Sequence, residues 1–178
     1  ERANALRRDL QRKVRQVGVM HALGHGARKL ASRLAGRPTA SQSDRFDETY
    51  GTDTALMVSV GAIDIDDSRL AHSNRYEAVV PESFAEMMAC LPITHNEFVF
   101  LDIGSGKGRA LLLASIFPFK EIVGVELSAS LTAIARNNIR IFDDPRMKCR
   151  AIRVESGDGG AYLPAPVDTI LYLYNPFD

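Results

Sequence analysis

The sequence predicts an α/β protein built on a parallel sheet, and three observations carry that expectation. Short apolar, β-favouring runs recur in the second half of the chain, at Phe98–Ile103, Glu121–Glu126, Cys149–Glu155 and Thr169–Tyr174. Helical periodicity fills the gaps after the first two of them. The first run also opens at once into a glycine turn and a helix start, in the stretch FVFLDIGSGKGRALLLA at residues 98–114. Strand, helix, strand is the rhythm of a βαβ unit and hence of a right-handed parallel sheet.

Composition agrees with a globular chain. Of 178 residues 46% are hydrophobic and 25% charged, and no apolar run approaches the roughly 20 residues that cross a bilayer. That length has room for one domain with a sizeable core and an appendage. Cys90 and Cys149 stand alone, without CxxC spacing, so both are expected as buried thiols of a reducing cytoplasm rather than a disulfide or a metal pair.

Three segments follow in order: residues 1–38 as a basic helical arm, 39–96 as a helical and loop segment, and 97–178 as the sheet-bearing core. The net charge of zero hides an asymmetry, because residues 1–38 carry ten Lys or Arg against Glu1 and Asp9, giving +8 and leaving −8 elsewhere. Leu6, Leu10, Val14 and Val17 recur at helical spacing among Arg7, Arg8, Arg12 and Arg15, the pattern of a basic amphipathic helix. Such a helix docks its stripe on the body or on a second subunit, or meets an anionic partner such as nucleic acid or a membrane surface. His21 and His25 are spaced i, i+4, but no HExxH or nearby carboxylate supports a metal site, and they read as solvent-facing. The arm lacks an initiator Met and an apolar core, which argues against a secretory signal and suggests a fragment of a longer chain.

Residues 36–43, GRPTASQS, read as a polar linker. Arg45 to Thr54 fits a loop or short helix, and Val58 to Ile65 looks extended. Asp64, Asp66 and Asp67 lack the glycine and terminal glutamate of a calcium loop and read as an acidic turn. Pro81 suits the first turn of a helix through Phe84, Met87 and Met88 to Cys90, stopped before Pro92.

The glycine turn is the informative stretch. Gly104, Gly106 and Gly108 permit positive φ and close approach of a ligand to the backbone, and a carboxylate, Asp102, closes the strand before them. The second strand ends on Glu126, 24 positions after Asp102, near the offset at which an acid reaches the ribose hydroxyls of a bound nucleotide. A P-loop would need Gly at 101 and Ser or Thr at 108, where Leu101 and Gly108 stand, so that chemistry is excluded. The dinucleotide fingerprint GxGxxG/A meets Arg109 at its third small position, which weakens a nicotinamide-dependent oxidoreductase without removing it.

DIGSGKG followed by VGVELS resembles the first and second motifs of class I S-adenosylmethionine-dependent methyltransferases, whose loop reads D/E-x-G-x-G-x-G. The resemblance implies a Rossmann-like parallel sheet with S-adenosyl-L-methionine as cofactor. It implies that Gly104, Ser105, Gly106 and Gly108 hold the methionine moiety and that Asp102 fixes the loop and the amino end. Glu126, with Leu127 beside it, is implied to take the ribose, and Asp158, in the loop SGDGG after the third strand, the adenine. Tyr50–Asp53 with Tyr76–Glu82 resembles the cover that folds over the cofactor in this family.

After Ser128, a suitable N-cap, Leu131, Ile134, Ala135, Asn138, Ile139 and Phe142 follow the helical period until Asp143, Asp144 and Pro145 end it. Asn175, Pro176 and Phe177 at the tip of the fourth strand resemble the Asn/Asp-Pro-Pro-Tyr/Phe motif of amino methyltransferases, with one proline fewer. That implies methyl transfer to a nitrogen of a protein, nucleic-acid or small-molecule substrate, with Asn175 orienting the amine. The resembled fold has seven strands and only four are accounted for here, so the sheet is expected to be incomplete at its C-terminal side. From a different class, a non-catalytic methyltransferase-like module that uses its basic arm for binding is the alternative.

Overall fold

The computed structural model describes residues 41–55 and 78–174, with side chains from Arg45 onward. The basic arm, Tyr76, and the Asn175–Pro176–Phe177 tripeptide fall outside the described residues, as do His21, His25, and the expected strand and acidic turn of residues 58–67.

Among the described residues nine elements follow one another: α1 (Ser41–Tyr50), α2 (Pro81–Ala89), a 3-10 turn (His95–Glu97), β1 (Val99–Ile103), α3 (Arg109–Ala114), β2 (Glu121–Glu126), α4 (Ala129–Ile141), β3 (Ile152–Ser156) and β4 (Thr169–Leu173). The last residues of the expected linker, Ser41–Ser43, are the first turn of α1. Pro81 stands at the start of α2, where its missing N–H costs nothing. The Ser128 hydroxyl accepts the Leu131 N–H at 3.2 Å and caps α4.

The four strands are all parallel and ordered β3-β2-β1-β4. Register pairs Asp102 with Gly124 on β2 and with Tyr172 on β4. From β1 the chain winds outward through β2 to β3, then returns to the other side of β1 as β4. The carboxyl ends of β1 and β4 therefore flank the reversal point, where parallel α/β sheets form their ligand crevice.

Alternation along the strands sorts the core into two faces. Phe100, Ile122, Val154 and Tyr172 pack with Phe84, Met88, Leu111, Leu112 and Ala135 from the helices. Val99, Leu101, Ile103, Val123 and Val125 form the opposite cluster, with Tyr162 against it. On that second face β4 is poorly covered, since Leu171 and Leu173 are each 40% exposed.

Gly124 shows how tightly the first face is built. A Cβ there would lie 2.7 Å from the Ser105 hydroxyl and 2.7 Å from a Leu111 methyl, so only glycine lets the turn after β1 and helix α3 sit against β2. One expectation is corrected: Cys149 is buried, but Cys90, at the C-cap of α2, is exposed. The helix ends there and turns its last residue outward.

Candidate active site at the tips of β1 and β2

The glycine turn takes the shape its residues allow. Gly104, Gly106 and Gly108 have φ of 79°, 53° and 86°, each in the left-handed region that a side chain disfavours. Gly108 caps α3 and starts it directly from the turn. Four amides of this turn donate within the chain. Gly104 and Ser105 both reach the Val125 carbonyl, at 2.8 and 3.1 Å, and Gly108 reaches the Ser105 carbonyl at 2.9 Å. Gly106 donates to Glu126 Oε2 at 2.8 Å.

Glu126 is thus aimed at the turn from the neighbouring strand. Its other oxygen accepts the Ser128 N–H at 2.9 Å, and the residue is 7% exposed. Burial raises its pKa, while the amides of Ser128, Gly106 and Leu127 pull the other way. Asp102, on the adjacent strand, is 3% exposed. Burial first, and the charge of Glu126 second, push its carboxyl up to about 8. Among the described residues neither carboxylate is ion-paired. Without a cation beside it Asp102 keeps its proton at neutral pH, and a positively charged ligand bound there would stabilise the ionised form that burial disfavours.

The one lysine of the turn does not serve that site. Lys107 is 2% exposed and its Nζ binds Asp53 Oδ1 at 2.7 Å. A phosphate cradle needs the opposite arrangement, free amides and a cation turned toward the ligand. The observed turn offers acids instead.

Asp158 lies in the loop after β3 and accepts the Gly160 N–H at 2.8 Å. The Gly157 amide donates to the Glu126 carbonyl at 2.9 Å, which brings this loop to the tip of β2. Leu127 is half-buried beside it. The structure therefore gathers Asp102, the glycine turn, Glu126, Leu127 and the Gly157–Asp158 loop at one end of the sheet.

The expected cover divides into parts with different duties. Tyr50 anchors: its hydroxyl donates to Asp144 Oδ2 at 2.5 Å and its ring packs on Phe46 and Phe142. Hydrogen bonds from Arg146 and Tyr50 hold Asp144, 1% exposed, well below the usual carboxylate range. Asp47 organises the following turn by accepting from the Thr52 and Thr54 hydroxyls and the Thr54 and Ala55 amides. Although burial pushes Asp47 up, these bonds leave it below its ordinary value. Arg109, 2% exposed, reaches Asp47 at 3.4 Å, donates to the Thr54 hydroxyl and lies 4.2 Å above the Phe46 ring. Asp53 belongs to the expected cover, whereas Lys107, Arg109, Asn138 and Asp47 were not legible as site-building residues, since none of them carries such a role in a motif of its own.

A parallel α/β domain with a glycine turn and acidic tips on adjacent strands is a class I methyltransferase-type domain. Its residues 62–173 match the family model described as protein-L-isoaspartate(D-aspartate) O-methyltransferase (PCMT), and the chain belongs to that family. Similar solved structures include a protein-L-isoaspartate O-methyltransferase, at 17% identity and TM-score 0.46, covering 76% of this chain and 47% of the other. An RNA methyltransferase from Salinibacter ruber in complex with S-adenosyl-L-homocysteine is 22% identical, with TM-score 0.41 and coverage of 52% and 58%. A SAM-dependent methyltransferase from Thiobacillus denitrificans, also with S-adenosyl-L-homocysteine, is 24% identical, with TM-score 0.41 and coverage of 51% and 36%. The matches span between 32% and 58% of the length of the first solved structures. No curated protein matches it.

Proposed function

We propose that this chain forms the donor-binding part of an S-adenosyl-L-methionine-dependent methyltransferase that transfers the methyl group to a nitrogen. The observation that carries the reading is the pair of buried carboxylates, Asp102 and Glu126, with no ion-pair partner among the described residues. S-adenosylmethionine, when bound, supplies a methyl activated by a sulfonium, and its amino end adds a second positive charge. Asp102 would receive the amino end and Glu126 the ribose hydroxyls, with the glycine turn as the close-approach surface. Asp158 is assigned to the adenine. A nicotinamide dinucleotide is disfavoured by the same features: its pyrophosphate would meet two acids and a turn whose amides at 104, 105, 106 and 108 are already engaged.

With the methyl already activated, the chain's contribution is alignment and exclusion of water. Asn175, Pro176 and Phe177 follow soon after β4 in the sequence, and β4 ends beside β1 in register, Leu173 against Ile103. The tripeptide is therefore assigned to the acceptor, with the Asn175 oxygen orienting a neutral amine or amide. A second reading, transfer to a carboxylate oxygen, is favoured by the family match.

The test is calorimetry with S-adenosylmethionine, followed by methyl-labelled donor and mixed protein and RNA acceptors. Donor binding with label that survives mild base supports nitrogen as the acceptor. Label released by base as methanol supports the carboxylate reading. Absence of donor binding, with binding of NAD, would overturn both.

A further inference from the structure

Asp53, half-buried, is held at its backbone and at its side chain alike. Its backbone N–H donates to Asn138 Oδ1 and its carbonyl accepts from Asn138 Nδ2, both at 2.9 Å. The same Nδ2 also donates to the Lys107 carbonyl at 2.9 Å. Lys107 Nζ then returns to the Asp53 carboxylate at 2.7 Å. One buried amide and one buried ammonium thus close a ring through residue 53, residue 138 and the glycine turn.

The ring is unusual in its placement. Asn138 is 0% exposed, in the second half of α4, a position where an apolar residue would serve packing. Lys107 is 3% exposed at its side chain while Asp53 is 47% exposed at its own. A buried lysine of this kind costs desolvation and is tolerated only with its partner in place. The segment it grips is braced in its own right, because Asp47 fixes residues 52–55 and Arg109 ties both Asp47 and Thr54 to the first turn of α3. Bonds from Asp47, Asp53 and Thr54 reach Lys107, Arg109 and Asn138 of the sheet-bearing body. Lys107 and Arg109 flank the last glycine of the turn, and Asn138 holds the Lys107 carbonyl.

We infer that Lys107, Asp53 and Asn138 are positioning residues, forming a clasp through which the segment 47–55 sets the shape of the glycine turn and hence its grip on the donor. This rests on the donor reading above. The clasp commits the lysine charge to Asp53, and among the described residues it pairs with neither Asp102 nor Glu126. It also fixes the Lys107 carbonyl, one residue before the left-handed Gly108, and thereby the path of the turn.

Three variants test it: Lys107→Met, Asp53→Asn and the double substitution. Hydrogen exchange at the Gly106 and Gly108 amides is read without donor, and S-adenosylmethionine affinity by calorimetry. The expected result is exchange several-fold faster at these two amides in each variant, with affinity about tenfold weaker in each single variant and no weaker in the double, the signature of one shared interaction. Unchanged exchange and affinity would overturn the clasp. So would an affinity loss that doubles in the double variant, or exchange that rises equally at the Ile122 and Val123 amides of β2, since the first describes independent contacts and the second global loosening. A wild type that binds no donor, with Gly106 exchange still faster in Lys107→Met, supports the positional role and removes the donor reading alone. Should Asp53→Asn fail to fold because it strands the lysine charge, Lys107→Met against wild type carries both readouts.

Discussion

Replacing Asp102 by asparagine separates what the site needs from what the fold tolerates. The carboxyl is 3% exposed and its pKa rises from 3.8 to about 8, by burial first and the Glu126 charge second. A folded-state pKa above the unfolded one means that the folded protein keeps a proton the unfolded chain has lost. Stability therefore falls as pH rises from about 4 to 8, with a slope of up to ~1.4 kcal/mol per pH unit for this group. Between pH 5 and 7 that amounts to roughly 2–3 kcal/mol. The amide introduced by Asp102→Asn does not titrate, so urea unfolding at pH 5, 6 and 7 should show the variant gaining on wild type by about that amount across the interval. The new amide needs partners of its own, which shifts the whole curve by ~1–3 kcal/mol but not its slope. Donor affinity should fall in the same variant. Parallel stability curves for the two proteins would refute the placement of an uncompensated acid at the tip of β1.

Other outcomes follow from the same geometry. Glu126→Ala should weaken S-adenosylmethionine binding by ~1.5–3 kcal/mol, the scale of a charged hydrogen bond, and calorimetry reads it directly. Gly124→Ala places a methyl 2.7 Å from the Ser105 hydroxyl and from Leu111, and should destabilise by ~1–3 kcal/mol in thermal unfolding while also weakening donor binding by displacing the turn. On the acid side, Asp47 and Asp144 both have lowered pKa values, so the stability they contribute is present above about pH 4 and lost as pH falls below it. Combined with Asp102, this places the stability maximum contributed by these groups near pH 4, which a pH series of melting temperatures checks.

The sheet was legible because its strands are short, apolar and bounded by turn residues. Glu121–Glu126 has the expected ends, and β1 begins one residue later than its apolar run. Strand β3 starts three residues late, at Ile152, because Cys149 and Arg150 still belong to the preceding connection, whose Lys148 and Cys149 amides bond the Ser115 carbonyl. Ser128 announced α4 by its capping chemistry. The candidate site was legible only as far as motif and offset reach, in Asp102, the glycines and Glu126. The ion pair that removes Lys107 from the crevice was not, since it joins residues 54 positions apart with no local pattern linking them. Arg109 counted against one fingerprint because that position needs a small residue. The structure shows the guanidinium is accommodated by stacking on Phe46 and by Asp47, a remote pocket that no local pattern encodes.

The bonds that secure the 47–55 segment also dictate when it can be secured. Asp53 meets Asn138 across 85 residues and Tyr50 meets Asp144 across 94. Bringing such distant points together costs about 4 kcal/mol of loop-closure entropy, recovered only once both βα units stand. During vectorial synthesis Phe46 and Thr54 leave the ribosome early and wait for their partners. A nascent chain shorter than about Arg146 therefore holds the two acidic strand tips without the Tyr50–Asp144–Arg146 contacts that anchor the segment bracing the turn between them.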